Sequence, residues 1–185
     1  GFATALALYI TEKDGLRPNL TVYTLFDFVV NTIRSFPFIV LLVAIVPVTK
    51  IIVGRSIGPE AAIVPLTIAA TPFIGRIIFN SMKEVDPALV EAGKAFGLSD
   101  LQIIFKVVIV EALPSIVAGL VLAIINILGA TAMAGVVGGG GLGSVALVYG
   151  YQNYDDVVMY GTVIILIVLV QCIQGIGSAI YKKIR

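Results

Sequence analysis

A short polar segment, VDPALVEAGKAFGLSDLQ, carries the side chains of this chain with the clearest capacity for chemistry. Its carboxylate Glu91 and its ammonium group Lys94 are placed to form charged contacts with another molecule. At helical spacing they stand beside a small apolar face with one aromatic ring, made of Ala88, Ala92, Ala95 and Phe96. Such a face is typical of a helix that docks onto a protein partner, and a capped loop lying on a membrane surface is the alternative.

The same segment contains the start and stop signals of two short helices. Asp86 followed by Pro87 predicts a helix start, because Asp accepts hydrogen bonds from free amides and Pro suits the first helical position. Gly97 predicts the end of that helix, since Gly adopts the left-handed conformation without a Cβ penalty. Ser99 and Gln102 fit a capping box, which starts a second helix. The sequence therefore predicts a rigid projection made of two helices joined by Gly.

A second group with functional potential consists of polar or adaptable side chains within apolar stretches. Asn126, Thr131 and Thr71 can hydrogen-bond inside a membrane, and Met133 has a flexible, polarizable side chain that suits a gate. We predict that these four residues line or close a translocation path. Interhelical hydrogen bonds and ordinary packing are alternatives that the residues themselves leave open.

The composition excludes several kinds of chemistry. His is absent and Cys172 is the single cysteine, so a zinc site, a His-based catalytic group and an internal disulfide are all excluded. The glycine run at 138–144 lacks the Lys that a phosphate-binding loop needs. The net charge of +1 provides no basic surface for nucleic acid. We expect no enzymatic activity, no cofactor and no bound metal.

Membrane helices must position these groups, because the chain is 59% hydrophobic and 12% charged, with a mean hydropathy of +1.08. A spanning helix needs about 20 apolar residues. We predict an all-α polytopic membrane protein, a single transmembrane domain over residues 1–185 with five transmembrane helices, the first of them N-terminally truncated. The predicted spans are about 1–11, 22–50, 58–79, 107–134 and 156–181, and the polar segment forms a cytoplasmic loop at about 83–106.

The distribution of positive charge predicts the orientation of these spans. Lys13 and Arg17 follow the first span, three lysines lie within 83–106, and Lys182 and Lys183 lie near the C-terminus. Lys and Arg are retained on the cytoplasmic side of a membrane. The N-terminus is therefore predicted to lie outside, and the C-terminus in the cytoplasm.

Charged and small residues inside the predicted spans indicate contacts between helices. Asp27 and Arg34 lie seven positions apart in the second span, and each is expected to find its own partner. For both, a structural contact or snorkelling is favoured over a role in the path. Arg76 is interpreted as an anchor at the cytoplasmic boundary. Gly175 and Ala179 in the fifth span are predicted to let helices approach closely.

The polar segment resembles the EAA loop of ABC importer permeases, whose pattern is E-A-A-x3-G-x9-I-x-L-P. The E-A and G positions of that pattern are matched, while Gly93 stands for the second Ala. Val110 stands for the final Pro, whose kink we expect Pro114 to supply one turn later. In that family the loop forms a coupling helix that docks onto a cytoplasmic ATP-binding subunit. The resemblance implies an ATPase-coupling site at Glu91, Ala92, Gly93, Lys94, Phe96 and Gly97.

The resemblance extends over nearly the whole chain. RSFPFIVLL from Arg34, AAIVPLTIAATPFIGR before the loop, and AMAGVVGGGGLG with the following YGYQNYDDVVM are similar to the permease family of D- and L-methionine ABC importers. The implied partners are a second permease copy in a homodimer, cytoplasmic ABC ATP-binding subunits, an extracytoplasmic substrate-binding protein and membrane lipid. The implied location is the bacterial inner membrane, and the implied function is ATP-driven methionine import.

Other functions fit the sequence less well. Within the importer class, the alternative substrate is another polar amino acid or an osmoprotectant. A secondary transporter or channel would need ion-coupling carboxylates or broken helices near the middle of the membrane, and the acidic residues here lie near the ends of spans. A membrane enzyme would need a pair of catalytic groups deep in a helix cavity, and the sequence offers none.

Overall fold

Long apolar runs and Gly- or Pro-containing links divide this chain into helices. The structure, a computed structural model, describes residues 1–184, and every regular element within them is helical. The α-helices are α1 (Phe2–Thr11), α2 (Leu20–Ser35), α3 (Phe38–Ala44), α4 (Val46–Val53), α5 (Pro59–Lys83), α6 (Pro87–Ala95), α7 (Asp100–Ile103), α8 (Ile109–Ala134), α9 (Gly141–Ser144) and α10 (Asp156–Ile184). Two π-helical stretches, Ile104–Val108 and Val145–Gln152, and one 3₁₀ turn, Gly135–Val137, complete them.

Three helical stretches of the described chain are long and apolar enough to cross a membrane: Pro59–Lys83, Asp100–Val137 and Asp156–Ile184. The pair α2 and α3 qualifies as a fourth if it is counted as one broken span, and α1 is a shorter apolar helix of 10 residues. The predicted all-helical membrane architecture is therefore confirmed. The predicted number of five spanning helices is not reached by these criteria.

The predicted second span, 22–50, is not one continuous helix. α2 and α3 meet at an angle of 104°, and Phe36 between them is extended (φ −76°, ψ 130°). The cause is Pro37, because a residue that precedes Pro is sterically disfavoured from the helical conformation. A second interruption at Ile45 separates α3 from α4, which has a Pro in its first turn. The break lies well inside the apolar stretch.

The polar segment continues without a gap into the fourth span. α7 leads through the π-helical stretch Ile104–Val108 into α8, and the Ile109 amide donates to the Ile104 carbonyl, five residues back. The irregularity expected near Pro114 is thus found upstream of that residue, which lies inside α8. The continuous stretch Asp100–Val137 has 38 residues, on the order of 57 Å at 1.5 Å per residue. It is therefore longer than a bilayer is thick.

Ion pairs and a hydrogen bond hold the α1–α2 link and the polar segment together at one end of the bundle. Lys83 pairs with Glu12, and the Arg17 Nε donates to Asp100 at 2.6 Å. The hydroxyl of Ser115 donates to Glu84 at 2.7 Å. The α1–α2 link and the segment 83–106 therefore lie side by side. At the opposite end, the Gly58 amide donates to the Val137 carbonyl at 2.9 Å.

One apolar core connects the polar segment to the membrane helices. Its fully buried side chains come from α1, α5 and the junction between α7 and α8, and they include Leu8, Met82, Ile103, Ile104 and Val108. Val90 and Leu98 of the polar segment pack against the same cluster. The projection is therefore seated on the bundle by apolar burial as well as by ion pairs.

Arg76 is part of a polar contact between α2 and α5. It pairs with Asp27 and donates to the Asn31 Oδ1 at 2.9 Å, while the Asn31 amide donates to Asp27 at 2.9 Å. The side chain of Arg76 is 14% exposed. The expected structural partner of Asp27 is thus found. The side chain of Arg76 serves the contact between two helices, and its interpretation as an anchor at the cytoplasmic boundary stays a prediction.

The close approach of the last helix depends on a different glycine from the predicted one. A Cβ at Gly175 would meet nothing within 4 Å, and Ala179 is exposed within this chain. Gly177 is buried instead, and a Cβ there would collide with the side chain of Val121 on α8. Gly177 therefore sets the separation of α8 and α10.

Gly177→Ala is expected to lower the stability of the protein by about 1–3 kcal/mol, because the added Cβ overpacks a tight contact with a stiff, β-branched Val. The matched change Gly175→Ala adds the same atom to the same helix in open space and should leave stability unchanged or slightly higher. Thermal unfolding midpoints of the purified proteins in detergent measure the difference. Equal midpoints for the two variants would contradict this account of the α8–α10 contact.

Candidate functional site

The helix α6 begins and ends as its sequence predicts. The Asp86 Oδ1 accepts a hydrogen bond from the Ala88 amide at 2.9 Å, and Pro87 occupies the first helical position. Gly97, with φ +75°, adopts the left-handed conformation beyond the last turn. The cap predictions at both ends are therefore confirmed.

The turn between α6 and α7 is closed by four hydrogen bonds. The Gly97 amide donates to the Lys94 carbonyl at 3.0 Å and the Leu98 amide donates to the Gly93 carbonyl at 3.1 Å, which is a Schellman arrangement. The Ser99 Oγ accepts from the Gln102 amide at 3.4 Å, and the Gln102 Oε1 accepts from the Ser99 amide at 2.9 Å. The predicted capping box is present. Local hydrogen bonds thus fix the angle between the two helices.

The two faces of α6 differ in exposure. Gly93 is buried against the junction with α8, where an added Cβ would lie 3.4 Å from Ile103 and 3.6 Å from Leu98. The opposite face presents Ala92 beside an 86% exposed Phe96, and the charged pair of Glu91 and Lys94 is exposed as well. A Phe ring left in water is unfavourable unless another molecule covers it. We name the outer residues Glu91, Ala92, Lys94, Phe96 and Gly97 the α6 surface.

A cavity of about 500 Å³ lies between α2, α3, α5 and α8. Asn126 and Met133, two of the four residues predicted for a path, line it on the α8 side. Arg34 at the end of α2 lines it on the opposite side, and Phe38 and Phe73 contribute aromatic walls. The cavity is thus mainly apolar with two polar groups, which is the usual character of a small-molecule site.

The other two residues predicted for a path lie elsewhere. The Thr131 hydroxyl donates to the Leu128 carbonyl of its own helix at 2.6 Å, and Thr131 does not line the cavity. Thr71 lines a separate cavity of about 310 Å³ with Thr67. The structure therefore brings together Asn126 and Met133 and separates them from Thr131 and Thr71.

Sequence reasoning missed that the end of α2 reaches this cavity. The sequence-based spans place Arg34 inside one continuous helix, whereas in the structure that helix ends just after Arg34, before Pro37. The signal was present, since an Arg placed three residues before a Pro in an apolar stretch indicates a charged helix end inside the membrane. The aromatic walls gave no such signal, because Phe is common throughout lipid-exposed helices.

The glycine run after α8 packs against the last turn of that helix, close in sequence to Met133. Gly138 adopts the left-handed conformation (φ +73°) and ends the helical stretch. A Cβ at Gly139 would lie 2.7 Å from the Ala134 carbonyl oxygen, and one at Gly143 would collide with Ala132. The run therefore folds back onto the last turn of α8, as expected of glycines that permit a close approach. Within residues 1–184, no three His, Cys, Asp or Glu side chains are grouped so that they could hold a metal ion.

The model of the family described as binding-protein-dependent transport system inner membrane component matches residues 3–185. The chain is 50% identical over its whole length to the probable D-methionine transport system permease protein MetI of Vibrio cholerae, and covers 82% of that protein. It is 42% identical to the methionine import system permease protein MetP of Bacillus subtilis, over 94% of this chain and 78% of that protein.

Solved structures show the same fold. A structure described as inward-facing conformations of the MetNI methionine ABC transporter superposes with a TM-score of 0.96 at 41% identity, and covers 100% of this chain and 86% of that chain. An amino acid ABC transporter with histidines matches with a TM-score of 0.77 at 20% identity, over 98% of this chain and 84% of that chain. At that identity the second likeness concerns the fold alone.

Gly97→Ala is expected to destabilise the turn between α6 and α7 by about 1–2 kcal/mol, because a Cβ is strained in the left-handed conformation. Gly93→Ala is the matched control and should stabilise α6 by about 0.5–1 kcal/mol, since its Cβ fits at ordinary contact distance. Hydrogen exchange of the Leu98 and Gln102 amides, measured by mass spectrometry, reports the opening of the turn. Slower exchange in Gly97→Ala than in the parent would refute the assignment.

Proposed function

The chain belongs to the family of binding-protein-dependent transport system inner membrane components, and from this premise we propose that it is the permease subunit of an ATP-driven methionine importer. The observation that carries the proposal is the α6 surface, a rigid and exposed helix at the charged end of the bundle. The 50% identity to a probable D-methionine permease over the whole chain supports methionine as the substrate. Another polar amino acid or an osmoprotectant remains the alternative within the class.

The proposed partner of the α6 surface is a cytoplasmic ABC ATP-binding subunit. Phe96 is suited to fill an apolar cleft on that partner, and Glu91 and Lys94 are suited to form charged contacts at its rim. ATP hydrolysis takes place in that subunit, and this chain supplies the path and the docking helix. An extracytoplasmic substrate-binding protein delivers the substrate, and a second copy of the permease completes the membrane part.

The proposed mechanism is alternating access driven by the partner. ATP binding brings two ATP-binding subunits together, each moves the α6 surface that it holds, and the permease copies rock so that the path opens outward. Hydrolysis returns them to the inward-open state. A nucleotide can drive this cycle only because the two states bind it with different affinity. The ties of α6 to the core, through Val90 and Leu98, support its role as a rigid lever.

The proposed path includes the cavity between α2, α3, α5 and α8. Met133 at its end is placed to close it, and Asn126 offers a polar contact within it. Thr131 and Thr71 stay predicted path residues. Because they do not line this cavity, they would contribute to the path only through the arrangement of the two permease copies. The cavity is bounded by the broken second span, and such irregular backbone is tolerated at membrane depth where it lines a cavity.

The proposed topology has five crossings in one transmembrane domain: α1, the broken unit α2–α4, α5, α8 and α10. It is supported by the ion pairs that join the α1–α2 link to the segment 83–106, so that both lie at one end of the bundle. Two further lysines, Lys182 and Lys183, lie in the last turn of α10. The positive-inside rule then places the N-terminus outside and the C-terminus in the cytoplasm of a bacterial inner membrane.

A secondary transporter is the second candidate, and the bend of 104° in the second span favours it, because broken helices are typical of that class. Ion coupling would also need a free carboxylate near the break. Asp27 is the only carboxylate of α2, and it is paired with Arg76. An ATP-driven importer therefore accounts for more of the structure.

The proposal is tested by reconstituting the chain with its ATP-binding subunit and binding protein in proteoliposomes. Uptake of labelled methionine should require all three components and ATP. A variant of the ATP-binding subunit that cannot hydrolyse ATP is the control and should abolish uptake. Uptake by the permease alone, driven by an ion gradient, would replace the importer with the secondary transporter.

Phe96→Ala is expected to weaken docking of the ATP-binding subunit by at least about 2 kcal/mol, or about 30-fold in affinity, because a central aromatic anchor is lost. Methionine uptake should fall accordingly, while the permease stays folded. Leu101→Ala is the matched control, since it removes a 66% exposed apolar side chain from α7 outside the α6 surface. Co-purification of the two subunits and ATP-dependent uptake measure both effects. Equal losses in the two variants would argue against a specific role for Phe96.

A further inference from the structure

Arg34 is a charged side chain that is exposed to the cavity it lines and has no ionic partner in the described chain. The four ion pairs within residues 1–184 involve Arg17, Arg55, Arg76 and Lys83, and no hydrogen bond of the Arg34 side chain is formed there. Arg34 is the fifteenth residue of α2, roughly 21 Å along the helix from Leu20 at 1.5 Å per residue. That length along the helix exceeds half the thickness of a bilayer core, about 30 Å.

The carboxylates of the surrounding helices are engaged or distant. Asp27, two turns away on the same face of α2, is held by Arg76 and by the Asn31 amide. Glu60 lies in the first turn of α5 and pairs with Arg55 at 3.5 Å. Glu111 lies in the first turn of α8, 14 residues before the first cavity residue of that helix. The cavity therefore carries an uncompensated positive charge.

The rest of the cavity wall fits a small amphipathic molecule. Aromatic and aliphatic side chains, Met133 among them, make up most of the wall, and Asn126 offers an amide without a hydrogen-bond partner in the described chain. The volume of about 500 Å³ lies within the usual range for small-molecule sites. A guanidinium in such surroundings recognises a carboxylate through two parallel hydrogen bonds.

We propose that Arg34 binds the carboxylate of the transported amino acid within this cavity. Asn126 donates or accepts a further hydrogen bond at the polar end of the substrate, and the apolar wall around Met133 holds its side chain. The assignment rests on the proposed function, because it identifies the contact that this permease makes with its own substrate. Arg34 is thus a binding residue of the path, in addition to the residues predicted from the sequence.

A cysteine-protection experiment tests the assignment directly. The parent for all variants is the permease with Cys172→Ser and Ala130→Cys, assembled with its ATP-binding subunits in lipid nanodiscs; Ala130 lines the cavity. The rate of alkylation of the new cysteine by a maleimide is measured with and without L-methionine. L-Methioninol, which has the same side chain and amine but no carboxylate, is the matched ligand.

L-Methionine at saturating concentration should slow alkylation at least about tenfold, a shift that corresponds to 1.4 kcal/mol, and L-methioninol should not. Arg34→Gln should abolish the protection, and Arg34→Lys should retain part of it, because the charge remains without the two-pronged geometry. Arg55→Gln, which removes the same charge at the far end of the bundle, should leave protection unchanged. Equal protection by the two ligands, or full protection in Arg34→Gln, would overturn the assignment.

Two further arms separate this result from other causes. If alkylation is slow in anionic nanodiscs, fast in neutral ones and indifferent to L-methionine, Arg34 holds a lipid phosphate and the proposal is wrong. If the complex with Arg34→Gln does not assemble while Arg34→Lys assembles and shows no protection, the role of Arg34 is structural and the proposal is again wrong. ATP-dependent uptake by the unmodified importer is measured in parallel: methionine uptake without protection leaves the importer function standing and removes only this site, whereas absence of uptake removes the function.

Discussion

Inside a bilayer every backbone amide and carbonyl must find its hydrogen bond within the protein, and this constraint shapes the whole chain. It explains why all regular structure in residues 1–184 is helical. It also restricts where a helix can be interrupted. The break between α2 and α3 lies beside the cavity, which Phe36 and Phe38 help to line. The same interruption that costs helical hydrogen bonds places the end of α2, with Arg34, at the cavity.

The junction between the polar segment and the bundle determines how a movement at one end can reach the other. α7, the π-helical stretch and α8 form one continuous helix that begins at the turn below α6 and ends near Met133. Because Ile103, Ile104 and Val108 are fully buried in the core, this helix is held along its lower half by close-packed side chains. Close-packed interiors transmit displacement with little compression. α6 is therefore connected to the α8 wall of the cavity by one hydrogen-bonded turn and one continuous helix.

How much of this could be read from the sequence depends on the range of each interaction. The caps at Asp86, Gly97 and Ser99 were predicted correctly because each involves neighbours within four residues. The apolar lengths predicted the membrane helices, but hydropathy averaged over the length of a span does not resolve a local break at Pro37, so the broken second span was missed. Contacts between residues that are far apart in the chain could not be predicted from local sequence patterns.

The pairing of Asp27 with Arg76 joins residues 49 positions apart, and the local sequence around either residue does not identify its partner. The same holds for Gly177, which differs from Gly175 only in lying on the helix face that meets Val121.

Arg34 and Arg76 are both cations that the sequence places within predicted spans, but their surroundings in the structure differ. Arg76 has two partners that compensate for its transfer from water, so the stability of the α2–α5 contact accounts for it. Arg34 has no ionic or hydrogen-bonding partner within the described chain, and its side chain is exposed to the cavity. The transported amino acid is the partner that we propose for it.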